Sequence, residues 1–151
     1  MRQRISLCVT SSLVLACAPA AHAHIVDNVL EHSAPNAALQ LTPIGSHESG
    51  VLGKSAAEIV AYHAASQRIL TVNARSGEVD ILDASDPTKP RKIGALSAGG
   101  DKEINSVAVR PDGLAVAAVQ QADKTDNGEA LFFNAETGEE LGRVGVGALP
   151  D

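Results

Sequence analysis

The sequence predicts an all-β fold in which two four-stranded antiparallel units follow each other along the chain. Short runs rich in β-branched residues are separated every few residues by Gly, Pro, Asn, Asp or Ser, which is typical of strands joined by tight turns. No apolar stretch keeps a 3.6-residue period for three turns, so no long helix is expected. The two units also match each other when they are overlaid, which indicates an internal repeat.

The predicted strands fall into two sets of four. The first set covers 57–62, 68–73, 78–83 and 91–95, and the second covers 104–109, 114–119, 130–134 and 141–146. Turn-forming residues fill the gaps. Residues 74–77 and 135–138 lie on opposite sides of the third strand of their units, and 110–113 has the Pro and Gly positions of a type I turn. Such short connections favour antiparallel meanders.

The repeat predicts a β-propeller. Residues 58–62 match 105–109 at an offset of 47, and 79–84 match 130–135 at an offset of 51. A four-stranded unit that recurs at about 40 to 50 residues is typical of propeller blades. A propeller typically has about 4 to 8 blades. We therefore expect the N-terminal portion of a β-propeller, two blades that are incomplete as a ring, and we interpret 147–151 as the entry to a third unit of a truncated chain.

Residues 1–23 are predicted to be a signal peptide. Arg2 and Arg4 precede a short apolar run, and Ala21-His22-Ala23 is a small-x-small cleavage site. The run is too short and too interrupted for a membrane span. A lipobox-like sequence before Cys17 offers the alternative of a lipid anchor at that residue. Residues 24–40 lack a helix cap and the length of a stable helix, so we interpret them as a linker before a domain over 41–151.

Charge and cysteine content exclude several classes of function. The net charge of −6 makes nucleic acid an unexpected partner, since binding a phosphate backbone requires an excess of cations. Cleavage after Ala23 would remove both cysteines, Cys8 and Cys17. The exported chain would then contain no disulfide, thiol nucleophile or zinc–thiolate site.

Several segments resemble the start of the choice-of-anchor I family. They are the stretches 41–45, 48–51, 57–62, 72–74 and 79–83, followed in order by 105–109, 123–126, 132–133 and 147–151. The resemblance covers residues 41–151 and leaves out the leader and the linker. It implies an exported or surface-tethered propeller, in the periplasm, on the cell surface or outside the cell. It also implies that an N-terminal strand, for which 44–51 is our candidate, completes the last blade.

The resemblance gives no catalytic, cofactor-binding or metal-binding residue for this segment. We therefore expect an interaction module with an unknown protein or extracellular ligand. The alternative is the first part of a metal-dependent, phosphoesterase-like enzyme whose catalytic residues lie outside this chain. No zinc-protease helix, Gly-x-Ser-x-Gly elbow or phosphate-binding loop occurs in the sequence.

The histidines suggest a second alternative. Cleavage after Ala23 would make His24 the N-terminal residue, whose amine and imidazole could chelate copper with His32, His47 or His63 as a further ligand. His22 and His24 could equally do no more than flank a cleavage site. The sequence gives no sign that these side chains lie within ligand distance of one another.

Acidic loops provide the remaining candidates. Asp123, Asp126, Asn127 and Glu129 have the oxygen ligands that calcium prefers, but they lack the register of an EF-hand, which favours a solvated turn. Asp83 and Asp86 are interpreted as turn formers. Glu58 and Tyr62 lie on a predicted inner strand, where they could either line a propeller channel or only fill it.

Overall fold

The computed structural model describes residues 35–39, 42–50 and 56–151. It confirms the all-β prediction, with eight strands and no helix among these residues: β1 (Val60–His63), β2 (Arg68–Asn73), β3 (Glu78–Asp83), β4 (Arg91–Ser97), β5 (Glu103–Val109), β6 (Leu114–Gln120), β7 (Asn127–Asn134) and β8 (Glu140–Ala148). The predicted leader, the lipidation alternative at Cys17 and most of the linker lie outside the described residues.

The strands form two four-stranded sheets. The first has the order β1-β2-β3-β4 and the second the order β5-β6-β7-β8, with all neighbours antiparallel. All eight predicted strands are present, and β2 and β3 have the predicted bounds. β8 is longer than predicted. Its backbone stays paired with β7 from Phe133↔Glu140 to Asn127↔Ala148, across two bulges and beyond the residues whose apolar alternation predicts the strand.

Two turns with the same sequence pattern connect strands in the two sheets. Asn73 ends β2 and Asn134 ends β7, and each is followed four residues later by a glycine with positive φ. The amide of that glycine donates to the asparagine carbonyl, at 2.9 Å for Gly77 and 2.8 Å for Gly138. The asparagine Oδ1 accepts amide hydrogens from the two residues in the middle of the turn. These bonds fix the strand reversals that the sequence predicts.

The core lies between the two sheets. One face of each sheet contributes to a single cluster of buried apolar residues, and β5 contacts β1, β2 and β3 of the first sheet. The largest fully buried side chains of this cluster are Leu70, Val72, Val79, Val119, Leu131 and Phe133. Because side chains alternate along a strand, each sheet also has a face that points away from this core.

The predicted closing strand over 44–51 is not a strand in the part that the structure describes. Residues 44–50 are exposed and have no regular backbone pairing, while Val51 lies outside the described residues. Residues 44–50 instead pass over the outer side of the first sheet, where several of them line a cavity with β2 and β3. The two stacked sheets match the predicted pair of blades, and the propeller to which they would belong stays a prediction.

Candidate functional site

Two polar side chains lie next to each other on the face of the first sheet that points away from the core. Thr71 on β2 and Asp80 on β3 are register partners, so both project from the same face. The next register pair, Leu70 and Ile81, projects into the core. The outer face of the first sheet consists, by the same alternation, of Val60, Tyr62, Ile69, Thr71, Asp80 and Leu82.

Asp80 is a buried carboxylate with two partners on its own sheet. Its side chain is only 8% exposed. Oδ2 accepts a hydrogen bond from Nδ2 of Asn73 at 3.1 Å. Oδ1 lies 2.6 Å from Nζ of Lys92, in an ion pair whose angle does not suit a hydrogen bond. Since a buried charge is costly without a partner, Lys92 and Asn73 make a carboxylate tolerable here.

A cavity of about 290 Å³ lies over this carboxylate. The first sheet and the loop after β3 contribute Ile69, Thr71, Asp80, Leu82 and Pro90 to the lining. The outer wall of the cavity consists of Gly45, Ser46, His47, Ser49, Ala56 and Ala57. The lining thus combines apolar side chains with a few hydroxyl, imidazole and carboxylate groups. That combination, at close to this volume, is typical of sites for small molecules or single side chains.

Gly45 holds the outer wall against the β3–β4 loop. A Cβ atom at this position would lie 2.7 Å from Cα of Thr88 and closer still to the carbonyl oxygen of Pro87. Both are backbone atoms that cannot move aside cheaply. Glycine is therefore required for the wall to approach the loop this closely.

The second sheet shows which residues the outer face of the first sheet would have if that face served only to pack against another sheet. The register pairs Thr71↔Asp80 and Ala117↔Leu131 are equivalent in the overlay of the two units. Ala117 and Leu131 are both fully buried in the core. The chain therefore places a hydroxyl and a carboxylate where its own second sheet has two apolar residues. The overlay of 79–84 on 130–135 already aligns Asp80 with Leu131, but the sequence alone does not indicate that this difference marks a site.

The histidines proposed as copper ligands do not come together in the described residues. His63 is buried, and both of its ring nitrogens have partners between the two sheets. His47 is exposed and lines the cavity on the other side of the first sheet. The described residues contain no group of three or more potential metal-ligating side chains. His22, His24 and His32 lie outside them, so the N-terminal copper site stays untested.

The acidic loop after β6 is occupied by internal bonds. Asp123 Oδ1 accepts hydrogen bonds from the amide and the hydroxyl of Thr125 at 2.9 and 2.7 Å, and these bonds lower the pKa of Asp123. Glu129 projects elsewhere and is held by Lys102 and Arg143, whose hydrogen bonds lower the pKa of Glu129. The geometry favours the interpretation as a solvated turn.

Asp83 and Asp86 stabilise the chain around β3 and the loop after it. Asp83 accepts from the amide of Ser85 and pairs with Arg68 and Arg91, each at 3.0 Å. Asp86 Oδ1 accepts from the amide of Thr88 at 3.0 Å and from its hydroxyl at 2.6 Å. Their predicted role as turn formers is confirmed.

Glu58 and Tyr62 lie at the β1 edge of the first sheet. Both are exposed, and Tyr62 is 54% exposed on the outer face. The amide of Glu58 donates to the carbonyl of Val72 at 3.0 Å, which continues the pairing of β1 with β2 beyond the strand itself. These positions are accessible to a partner. Whether they would line a channel stays a prediction.

A cluster of charged residues joins β8 to the end of the first sheet, and the sequence does not predict it. Arg143 donates to the carbonyl of Ala98 at 2.9 Å, to Glu129 at 3.0 Å, and through two atoms to Glu140. The bonds to Glu140 and then to Glu129 raise the pKa of Arg143. The residues are far apart in sequence and carry no motif, so only the fold shows that they meet.

The sequence model of the choice-of-anchor I domain matches residues 58–151 of this chain. The chain belongs to the choice-of-anchor I family. This membership indicates an exported or cell-surface protein, in agreement with the resemblance seen in the sequence. The matched range contains all eight strands, and the wall segment 42–50 precedes it. No helix of the described residues is long and apolar enough to cross a membrane.

Among solved structures, the chain is similar to a protein of unknown function from Bacteroides caccae. The two share 21% sequence identity with a TM-score of 0.43, over 59% of this chain and 28% of that one. The chain therefore spans less than a third of the length of that relative. No curated protein matches this sequence.

Proposed function

We propose that this choice-of-anchor I protein is an exported, surface-associated binding module built from two propeller blades, and that the cavity over Asp80 is its ligand site. The observation that carries the proposal is the pair Thr71 and Asp80, which replaces the core residues Ala117 and Leu131 of the second sheet. A sheet that served only for packing would have no use for a buried carboxylate, since an apolar pair is often at least as stable.

The polar groups of the cavity define the chemistry of the ligand. Asp80 provides negative charge, the hydroxyl of Thr71 accepts or donates hydrogen bonds, and Ile69 and Leu82 offer apolar contact beside them. The matching ligand has a hydroxyl or ammonium donor next to a short apolar segment. A free small molecule or a side chain of a partner protein would both meet this description.

The double variant Thr71→Ala, Asp80→Leu tests the site, because it gives the first sheet the residues of the second. The full exported chain is titrated with putrescine, L-lysine or D-glucose while thermal unfolding is followed. We expect at least one probe to raise Tm by several degrees in the original protein, as for a ligand well above its Kd, and to have no effect on the double variant.

Asp101→Asn provides the matched control. It also removes one carboxylate, but from an exposed loop away from the cavity, and it should keep the full response to the probe. Equal stabilisation of the double variant would show that the probe binds elsewhere and would contradict the assignment of the site. A lack of response to all three probes in the original protein would contradict the proposed ligand chemistry.

A further inference from the structure

Lys92 compensates the charge of Asp80 without lining the cavity. It lies on β4 as the register partner of Leu82, so its side chain shares the outer face of the first sheet with Asp80. Its Nζ is 2.6 Å from Oδ1 of Asp80. The described residues that line the cavity include Asp80 as their one acid and do not include Lys92. The negative charge in the cavity is therefore balanced from beside the cavity.

The carboxylate of Asp80 is also hard for a ligand to reach. Oδ1 is inaccessible to solvent, and Oδ2 already accepts the hydrogen bond from Asn73. Asn73 is itself held in place, because its Oδ1 accepts amide hydrogens of the turn between β2 and β3. A cation in the cavity would therefore lose its water without reaching Oδ1, and such a loss is costly for a charged group.

The other polar groups of the lining suit a neutral ligand. The hydroxyl of Thr71 has no hydrogen-bond partner among the described residues, and Ser46 adds a second hydroxyl from the wall. The imidazole of His47 is either neutral or positive, so it offers no attraction to a cation. A hydroxyl group both donates and accepts, and it can therefore form hydrogen bonds with each of these side chains.

We propose that the ligand of this cavity is a neutral compound with hydroxyl groups, not an amine, and that Lys92 determines this preference. The inference rests on the proposed ligand site and decides between the hydroxyl and ammonium donors that match it. The positive charge of Lys92 opposes the attraction of Asp80 for a cation, whereas a hydroxyl has no net charge to be repelled. Among the three probes of the site, D-glucose should give the response, and putrescine and L-lysine should not.

A matched pair of probes tests the preference. Putrescine and its diol analogue, which has hydroxyls in place of both amines, share one carbon chain and differ in charge. NMR titration of the full exported chain gives the Kd of each probe from chemical-shift changes, and the same spectra report whether a variant is folded. We expect the original protein to bind the diol about tenfold more tightly than putrescine, because only putrescine meets the opposing charge of Lys92.

Variants of Lys92 test its role. Lys92→Met removes the ammonium and should bind putrescine about tenfold more tightly than the original protein does, because the charge of Asp80 then attracts a cation unopposed. Lys92→Arg keeps the charge and should keep the preference for the diol. Lys89→Met is the matched control: it removes an exposed lysine from the loop before β4 and should change neither Kd. If Lys92→Met does not fold, Lys92→Gln replaces it, since an amide can still donate to the carboxylate.

The double variant Thr71→Ala, Asp80→Leu separates the preference from the site itself. If the original protein binds putrescine at least as tightly as the diol and the double variant binds neither, the site stands and the preference is overturned. An unchanged putrescine Kd in Lys92→Met, or a lost preference in Lys92→Arg, would overturn the role of Lys92. If the original protein binds neither probe, the inference is overturned, while D-glucose and L-lysine still decide the site. Equal binding of the diol by the original protein and the double variant would contradict the ligand site and the inference together.

Discussion

Nε2 of His63 donates a hydrogen bond to the carbonyl oxygen of Pro111 over 3.2 Å, which joins the last residue of β1 to the β5–β6 turn. Nδ1 of the same ring lies 2.6 Å from Oγ of Ser66. A carbonyl can only accept, so the Nε2–H tautomer satisfies both contacts, with the Ser66 hydroxyl donating to Nδ1. His63 is thus a link between the two sheets, and the copper hypothesis loses one of its three candidate partner ligands for His24.

His63→Ala should lower the free energy of unfolding by about 1–3 kcal/mol, because it leaves the Pro111 carbonyl without its partner and opens space between the sheets. Urea denaturation of the full chain measures this change. Ser66→Ala removes only the second contact and should cost about 0.5–1.5 kcal/mol. If the two variants lost the same stability, the contact with Pro111 would contribute nothing.

Exchanging the polar and apolar residues between equivalent positions should cost much less stability in the first sheet than in the second. Asp80→Leu should lower the free energy of unfolding by about 1–3 kcal/mol, because it leaves Nδ2 of the buried Asn73 without its acceptor, while Lys92 is 40% exposed and can be hydrated. Leu131→Asp should cost more than about 4 kcal/mol, because it buries an unpaired charge in the core. The measurement is the urea midpoint of each variant.

The neutral variants of the same positions separate charge from shape. Asp80→Asn keeps the shape of the side chain and an acceptor for Asn73, so it should cost less than Asp80→Leu. Leu131→Ala should cost about 2–5 kcal/mol through the cavity it leaves. A large loss of stability in Asp80→Leu would mean that Asp80 is required for folding, and it would remove the argument for a ligand site.

Much of the fold could be predicted from the sequence, because the alternation of apolar residues and the turn residues act locally. The sequence predicts the bounds of β2 and β3 to the residue, since Asn73 and Gly77 mark the turn between them. It predicts a shorter β8 than the structure has, because backbone pairing across bulges leaves no side-chain pattern. It does not predict Asp80 as a site residue, because the burial of Asp80 depends on Lys92 and on a chain segment more than twenty residues away, and no local pattern indicates either.

Gly128 should not tolerate a side chain. A Cβ atom there would lie 2.5 Å from the carbonyl oxygen of Val119 and 2.5 Å from Cδ of Pro150. Pro150 is also held by a hydrogen bond from Asn105 at 3.0 Å, so it cannot move away freely. Gly128→Ala should therefore lower the free energy of unfolding by about 1–3 kcal/mol in urea denaturation. Gly147→Ala is the control, since nothing lies within 4 Å of its Cβ, and an equal loss there would contradict the steric explanation.

Asp83 should account for part of the loss of stability in acid. Hydrogen bonds from Ser85, supported by Arg91 and Arg68, lower the pKa of Asp83 from 3.8 to about 2 in the folded protein. Because the folded pKa is depressed, the ionised group stabilises the fold fully above the unfolded pKa, and this contribution disappears as the pH falls from about 4 to about 2. Asp83→Asn lacks the contribution at every pH. The difference in urea midpoint between the original protein and Asp83→Asn should thus be constant from pH 7 to pH 5 and shrink steadily below pH 4.

Asp101→Asn is the control, because Asp101 is an exposed carboxylate without an ion pair to the described residues. The difference in urea midpoint between this variant and the original protein should not shrink in acid. A constant difference down to pH 2 would show that the substituted asparagine disturbs the loop by its shape and that the charge of Asp83 does not stabilise it.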